Sequence, residues 1–429
     1  MIENKNDIFT ILNYQGSKKN LLEFIINNIE EYINSNKAVL DIFAGTSAVG
    51  YALKRKYNVY ANDSELYAYT IAKALLCFNE KNEWKQIENE FVKRYKQNLD
   101  KLGSVFSNFI NKETKAIKEN DSSSLRELYN QFPIIWKQNE FNYWENKIKD
   151  ISDLRKYKNE IPYMLFTTYY SSTYFGIEQS VEIDSIRYAI EDIENENIRC
   201  MLLSSLYYAM KECVFSKDGH MAQPLDICGH DKKLISVRRK CIYSIFKEKV
   251  EEFCSDKFLT NINKNCAFNM TMEKLISNKI VKDNVGFIYA DPPYTDMQYS
   301  RYYHLLNTVT LYDYMYISTY RGQLSKGLYR EERFQSPLSQ RSQAAGQMKL
   351  LFDFCKSNCI DIGVSFAYPR YPEIQATNRY TMSIEELVYL AENIFGKNKV
   401  QIVEEEYEHS NNRNASTKKV LEYLILCKS

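Results

Sequence analysis

The chain has 429 residues, and its 56 Lys and Arg nearly cancel its 55 Asp and Glu, leaving a net charge of +1. It is therefore no polycation, and any contact with a polyanion must come from a local patch. A 45% hydrophobic content with 13 Gly and 8 Pro excludes collagen-like and low-complexity chains, while ten scattered cysteines without a CxxC pair, no signal peptide ahead of Asp7 and no apolar run near the ~18 residues of a membrane span read as a reduced cytoplasmic protein.

The first notable segment is Tyr14-Gln15-Gly16-Ser17-Lys18, a turn ahead of a helix in which Leu21, Leu22, Ile25, Ile29 and Ile33 recur at three- and four-residue steps. Tyr14 and Lys18 put an aromatic ring and a cation there as ligand candidates; an N-cap by Ser17 is the plainer reading of the same turn. A buried strand, Ala38 to Phe43, then runs through Asp41 and Phe43 into a turn at Gly45 and a helix. Glycine at such a turn lets the backbone approach a ligand closely. The strand Val59 to Asn62 ends at Asp63, 22 residues after Asp41, from which a carboxylate can grip both hydroxyls of a ribose. No P-loop lysine and no third glycine at the dinucleotide spacing follow, so neither the nucleoside triphosphate nor the nicotinamide template fits.

A helix is expected from Glu65 to Phe78. Between about Glu80 and Lys264 the strand pattern stops, and Lys/Asn/Glu-rich helical stretches take over. Such a length is no loop, and residues 81–264 are read as a mainly helical insert. Within it, Cys213, His220, Cys228 and His230 contain no tight ligand pair, and no metal is expected. From Lys232 to Lys249 seven basic residues face one acidic one. Lys233, Lys240 and Lys247 recur every seven residues, within about 40° on a helix, a stripe suited to phosphates or to a plain solvated face.

Strands resume at Cys266 to Met270, Val285 to Ala290, Asp361 to Tyr368, Val400 to Val403 and Val420 to Leu426. Alternation with helices implies a mostly parallel α/β sheet built from residues 1–80 and 265–429. The strand Gly286 to Ala290 stops abruptly in Asp291-Pro292-Pro293-Tyr294. Two prolines freeze the backbone there. The Asp291 carboxylate and the Pro292 carbonyl then form two acceptors aimed at one donor, and Tyr294 offers a stacking face. That is a receptor for a planar amine. Accepting both N–H bonds of such an amine localises its delocalised lone pair, so transfer of a group to it becomes a matter of positioning and electrostatics. Further on, Arg301 and His304 stand one helical turn apart, to hold a phosphate or as a structural pair. Arg321, Lys326, Arg330 and Arg333, near Gly322 and Gly327, make a second basic loop able to reach a nucleic-acid groove. The 35 tyrosines fit a skewed codon usage that also enriches Asn, Ile and Lys better than they fit a base-handling surface.

Taken together, Tyr14 to Lys18, Asp41 to Gly45 and Asp291 to Tyr294 resemble the Dam-like, alpha-group class of N6-adenine-specific DNA methyltransferases. The order is that of the class: turn motif, cofactor loop, a middle target recognition domain, and a late catalytic tetrapeptide. The resemblance implies a Rossmann-like S-adenosylmethionine-dependent methyltransferase sheet with a helical target recognition domain inserted. It implies methyl transfer to N6 of a flipped adenine in double-stranded DNA, and a setting beside a cognate restriction endonuclease or in phage defence. Asp291, Pro292 and Tyr294 would be catalytic. Tyr14, Lys18, Asp63 and Asp291 would contact the cofactor, and Asp41, Phe43 and Gly45 would shape its methionine pocket. Thr271 stands where the family often has Asp, and a neutral hydroxyl accepts the cofactor's adenine amine more weakly. Lys233, Lys240, Lys247, Arg301 and Arg330 are the expected DNA contacts. Cytosine-N4 or protein-glutamine methylation, and a silent DNA-binding subunit, are the rival readings.

Overall fold

A computed structural model describes residues 9–12, 18–137, 144, 147–258, 263–373, 375–409 and 418–429. Nine strands are described: β1 (Ala38–Asp41), β2 (Val59–Asn62), β3 (Cys266–Phe268), β4 (Val285–Ala290), β5 (Thr319–Tyr320), β6 (Gln323–Leu324), β7 (Asp361–Pro369), β8 (Val400–His409) and β9 (Lys418–Cys427). Seven of them form one sheet in the order β3-β2-β1-β4-β7-β9-β8, in which β9 alone runs antiparallel. The expected mostly parallel α/β sheet is present. The chain moves outward from β1 to β3 and then returns to place β4 on the other side of β1. That reversal opens a crevice at the carboxyl ends of β1 and β4.

Both faces of the sheet are buried, as period-two alternation requires. Val39, Phe287, Tyr289, Leu424 and Leu426 face one core, while Leu40, Ile288, Ala290, Ile425 and Cys427 face the other. The second core is closed by the helices Arg341–Ser357 and Ile384–Phe395. Sequence and structure differ in two strand and helix lengths. β8 continues past Val403 to His409 because an edge strand tolerates the charged run Glu404 to Glu406. The helix expected from Leu21 to Ile33 is α-helical only over Leu22–Ile29, with tighter 3₁₀ turns at Lys18–Leu21 and Glu30–Tyr32.

The described residues of 81–264 form helices joined by turns and contribute no strand to the sheet. The helix Lys81–Glu119 buries Trp84, Phe91, Tyr95, Asn98, Leu102 and Phe106, a stripe stepped by three, four or seven residues. This helical layer shares one continuous core with the sheet face that carries Val39 and Phe287. Residues after the tetrapeptide complete it. Asp184, fully buried, accepts hydrogen bonds from the Phe166 and Thr167 amides, the Thr167 hydroxyl and the Tyr312 hydroxyl at 2.5–2.8 Å. Arg187 donates to the Val309 carbonyl at 2.9 Å.

The lysine stripe needs correction. Lys233 lies in the helix Asp231–Arg238 and Lys247 in Ile242–Cys254, with Lys240 in the break between them. Lys233 donates to the Ser216 carbonyl at 2.6 Å, Lys240 to the Glu212 carbonyl at 2.8 Å, and Lys247 sits 3.7 Å from Glu251. Arg238 and Lys249, from the same basic run, are buried. Much of that charge holds helices together. Among the described residues no group of three or more His, Cys, Asp or Glu side chains is arranged to hold a metal ion, and no helix is long and apolar enough to cross a membrane.

Candidate active site

One cleft of about 1230 Å³, including the solvent at its mouth, opens at the crevice between β1 and β4. Lys18, Asp41, Phe43, Gly45, Asp63, Thr271, Asp291, Pro292 and Tyr294 all line it. Four of these segments, far apart in sequence, meet here because each follows a strand of the same parallel sheet, and Lys18 joins them from the turn ahead of the first helix. Tyr14 lies outside the described residues.

The glycine turn is held from the neighbouring strand. Gly45 has φ 51° and Ser47 φ 55°, so the loop passes through two left-handed residues before the helix Ala48–Leu53. The Gly45 amide donates to Asp63 Oδ2 at 2.9 Å, and the Glu65 amide donates to Asp63 Oδ1 at 2.9 Å. Asn62 links three loops: its amide group donates to the Ile42 and Met270 carbonyls, and its Oδ1 accepts from the Met270 amide, each at 3.1 Å. Thr271 follows directly and begins the helix Met272–Ile276, and Glu273 joins it in the cleft wall.

At the tetrapeptide, Thr381 donates its amide to the Tyr294 carbonyl at 3.0 Å, and the Asp296 amide donates to the Arg379 carbonyl at 2.9 Å. The Tyr294 ring lies nearly parallel to Tyr380, with centroids 6.0 Å apart, and tilts against Phe366 at 5.5 Å. The segment 379–381 therefore braces the turn that the two prolines stiffen.

Lys18 is 6% exposed, yet its Nζ lies 3.1 Å from Asp291 Oδ1 and 2.8 Å from Glu422 Oε1. Burial alone would lower its pKa, but Asp291 and Glu422 hold it well above the ordinary lysine value. Burial lifts Asp291 to about 7, with Lys18 opposing the rise and Glu422 adding to it. Burial likewise lifts Asp41 to about 8, helped by Asp291 and Asp63 and opposed by the Gly50 amide. Glu65 rises to about 7 from burial and the nearby Asp63, while Asn307 donates to it at 2.6 Å. The cleft is therefore lined by many carboxylates against a lysine that is already shared. That donor set suits a cationic ligand.

Several of these groups escape sequence reasoning. Glu422 stands inside the apolar run of β9, where a charge amid Leu421, Tyr423, Leu424 and Ile425 was the available signal. The segment Phe334 to Ser339 also lines the cleft and carries no motif. The pairing of Arg301 with His304 is not found as expected: the helix Tyr299–Tyr302 ends before them both share a turn, and His304 begins the next helix. His304 is fully buried among Tyr170, Tyr174 and Tyr329, and burial lowers its pKa to about 3, so it is no phosphate ligand. Arg301 is exposed. Arg330 pairs with Asp313 at 2.7 Å, and Arg333 donates to the Arg330 carbonyl at 2.9 Å. Arg321 and Gly322 form the two-residue turn of the β5–β6 hairpin, with φ 52° and 74°, and Arg321 and Lys326 are exposed.

Known proteins resemble this chain in sequence. The chain is 27% identical over 333 residues to type II methyltransferase M.FokI of Planomicrobium okeanokoites, covering 75% of this chain and 41% of that protein. It is 25% identical over 414 residues to modification methylase LlaI of Lactococcus lactis subsp. lactis, covering 95% of this chain and 53% of that protein. With type II methyltransferase M.NlaIII of Neisseria lactamica it shares 23% identity over 307 residues, 70% of each chain. The chain thus spans about half the length of the first two relatives or less. One family's model matches residues 14–319, most of the sequence, including the cleft residues from Lys18 to Ser300. This chain therefore belongs to the D12 class N6 adenine-specific DNA methyltransferase family.

Proposed function

We propose that the chain methylates N6 of an adenine flipped out of duplex DNA, acting as a site-specific modification enzyme in the cytoplasm. The observation that carries this is the meeting of Asp63, Gly45 and Asp291 in one acidic cleft at the sheet's switch point. S-adenosylmethionine supplies an electrophilic methyl group on a cationic sulfonium, and the carboxylate lining suits both that charge and its ammonium. Asp41, Phe43, Gly45, Asp63 and Thr271 would hold it, with Asp63 placed for the ribose hydroxyls.

Asp291 and the Pro292 carbonyl accept the two N–H bonds of the amine, which localises the lone pair on nitrogen. Tyr294, braced by Tyr380 and Phe366, stacks on the base. Flipping costs roughly a few kcal/mol, which contacts to the duplex must offset. We place those contacts on the helical layer of residues 81–264, extended by the β5–β6 hairpin, with Arg301, Arg321, Lys326 and Lys247 exposed for phosphates. Lys233, Lys240 and Arg330 are engaged by partners within the chain. The names of the relatives, two of them modification methylases, favour a cognate restriction endonuclease. The test is transfer of a labelled methyl group from S-adenosylmethionine to duplex DNA, followed by nucleoside analysis. Label in N6-methyl-2′-deoxyadenosine supports the reading; label in N4-methyl-2′-deoxycytidine, or none, opposes it.

A further inference from the structure

Glu422 reaches the site from β9, opposite Ala367 of β7, and is 0% exposed. Its Oε1 lies 2.8 Å from Lys18 Nζ, which in turn lies 3.1 Å from Asp291 Oδ1. Its Oε2 has no hydrogen-bond partner among the described residues. A buried carboxylate with an unsatisfied oxygen is costly, and a glutamine or an apolar side chain would fill this core position without the charge. The charge therefore has a use beyond packing.

When both carboxylates are ionised, one ammonium between them cancels only one, so the triad then retains a negative charge. Without Glu422, Lys18 and Asp291 would close into a neutral pair, and the ammonium would draw density from the oxygen that must hold the amine. We propose that Glu422 is a positioning residue: it draws Lys18 toward β9 and so makes the ionised Asp291 carboxylate a stronger hydrogen-bond acceptor. The inference rests on the role given to Asp291 above. The other titratable groups facing Asp291 are Asp41 of β1, Tyr289 of β4 and Tyr299 of the following helix; Tyr380 faces Glu422.

The experiment is a single-turnover rate profile of the whole chain with S-adenosylmethionine and duplex DNA, from about pH 5.5 to 9, for wild type, Glu422→Gln, Glu422→Asp and Asp291→Asn. Glu422→Gln is expected to lower the plateau rate about tenfold, leave the cofactor KM within about threefold, and move the acid limb to lower pH, since a negative neighbour of Asp291 is gone. Glu422→Asp should recover most of the rate. A purely structural Glu422 would lower only the melting temperature; an unmoved limb and plateau in Glu422→Gln overturn the proposal. If that variant does not fold, the acid limb of Glu422→Asp is read instead: with its carboxylate set back by one methylene the limb should still shift to lower pH, and an unshifted limb overturns the proposal. Wild-type turnover by Asp291→Asn would instead refute the role of Asp291, a distinct outcome.

Discussion

The Gly45 amide donates to the Asp63 carboxylate at 2.9 Å, so the turn after β1 is fixed by the end of β2. Asp63 thereby holds the loop while lining the cleft. Asp63→Ala is predicted to raise the cofactor Kd by roughly tenfold or more, as expected for losing hydrogen bonds to a charged group at roughly 1.5–3 kcal/mol. Asp63→Asn, which keeps one acceptor oxygen for Gly45, should lose less. Isothermal titration with S-adenosylmethionine reads both; equal losses would show that the loop tether is irrelevant.

Protons should accompany cofactor binding. Burial raises Asp41 to about 8 and Asp291 to about 7, so both are partly protonated at neutral pH. A cation entering the cleft favours their ionised forms and expels protons. Binding at about pH 7 in buffers of different ionisation enthalpy should therefore report net proton release, reduced in Asp41→Asn. Net uptake would contradict this. The sign for stability follows from the same shift. A carboxylate with a raised folded pKa contributes stability that is present below its unfolded value of 3.8 and lost as pH rises through about 8, so Asp41→Asn should flatten the fall in melting temperature across that window.

Asp184 fastens the residues after the tetrapeptide to the helical layer through Tyr312. Asp184→Ala leaves buried donors from Phe166, Thr167 and Tyr312 without an acceptor. A loss of roughly 2–4 kcal/mol in unfolding free energy is expected by denaturant titration. A change within about 0.5 kcal/mol would mean the network is dispensable.

The basic residues divide by their partners. Arg321→Ala and Lys326→Ala should weaken DNA binding and each reduce the salt slope of log K by about 1. Lys233→Ala should leave that slope unchanged and lower thermal stability, because its ammonium is engaged by Ser216. Equal slope changes in all three would restore the phosphate-binding stripe read from heptad spacing.

What could be read from the sequence, and what could not, has a physical origin. The cofactor turn and the tetrapeptide are local: strand, turn chemistry and carboxylate lie within a few residues, so Asp41, Gly45 and Asp291 are visible as patterns. Their meeting also follows, since parallel strands align their carboxyl ends. Glu422 belongs to an antiparallel strand that reaches the site only through tertiary placement beside β7, and no local pattern reports that. The lysine spacing misled because nothing as plain as Gly or Pro marks the break between Arg238 and Ile242. His304 looked available beside Arg301, and only the fold shows it enclosed by tyrosines.

The most direct measurement expresses the chain in a host lacking adenine methylation and maps modified bases by single-molecule sequencing. N6-methyladenine in one recurrent sequence context, lost in Asp291→Ala while DNA binding persists, is the predicted result. N4-methylcytosine, or unmodified DNA in cells containing folded wild-type protein, would contradict adenine methylation at this cleft.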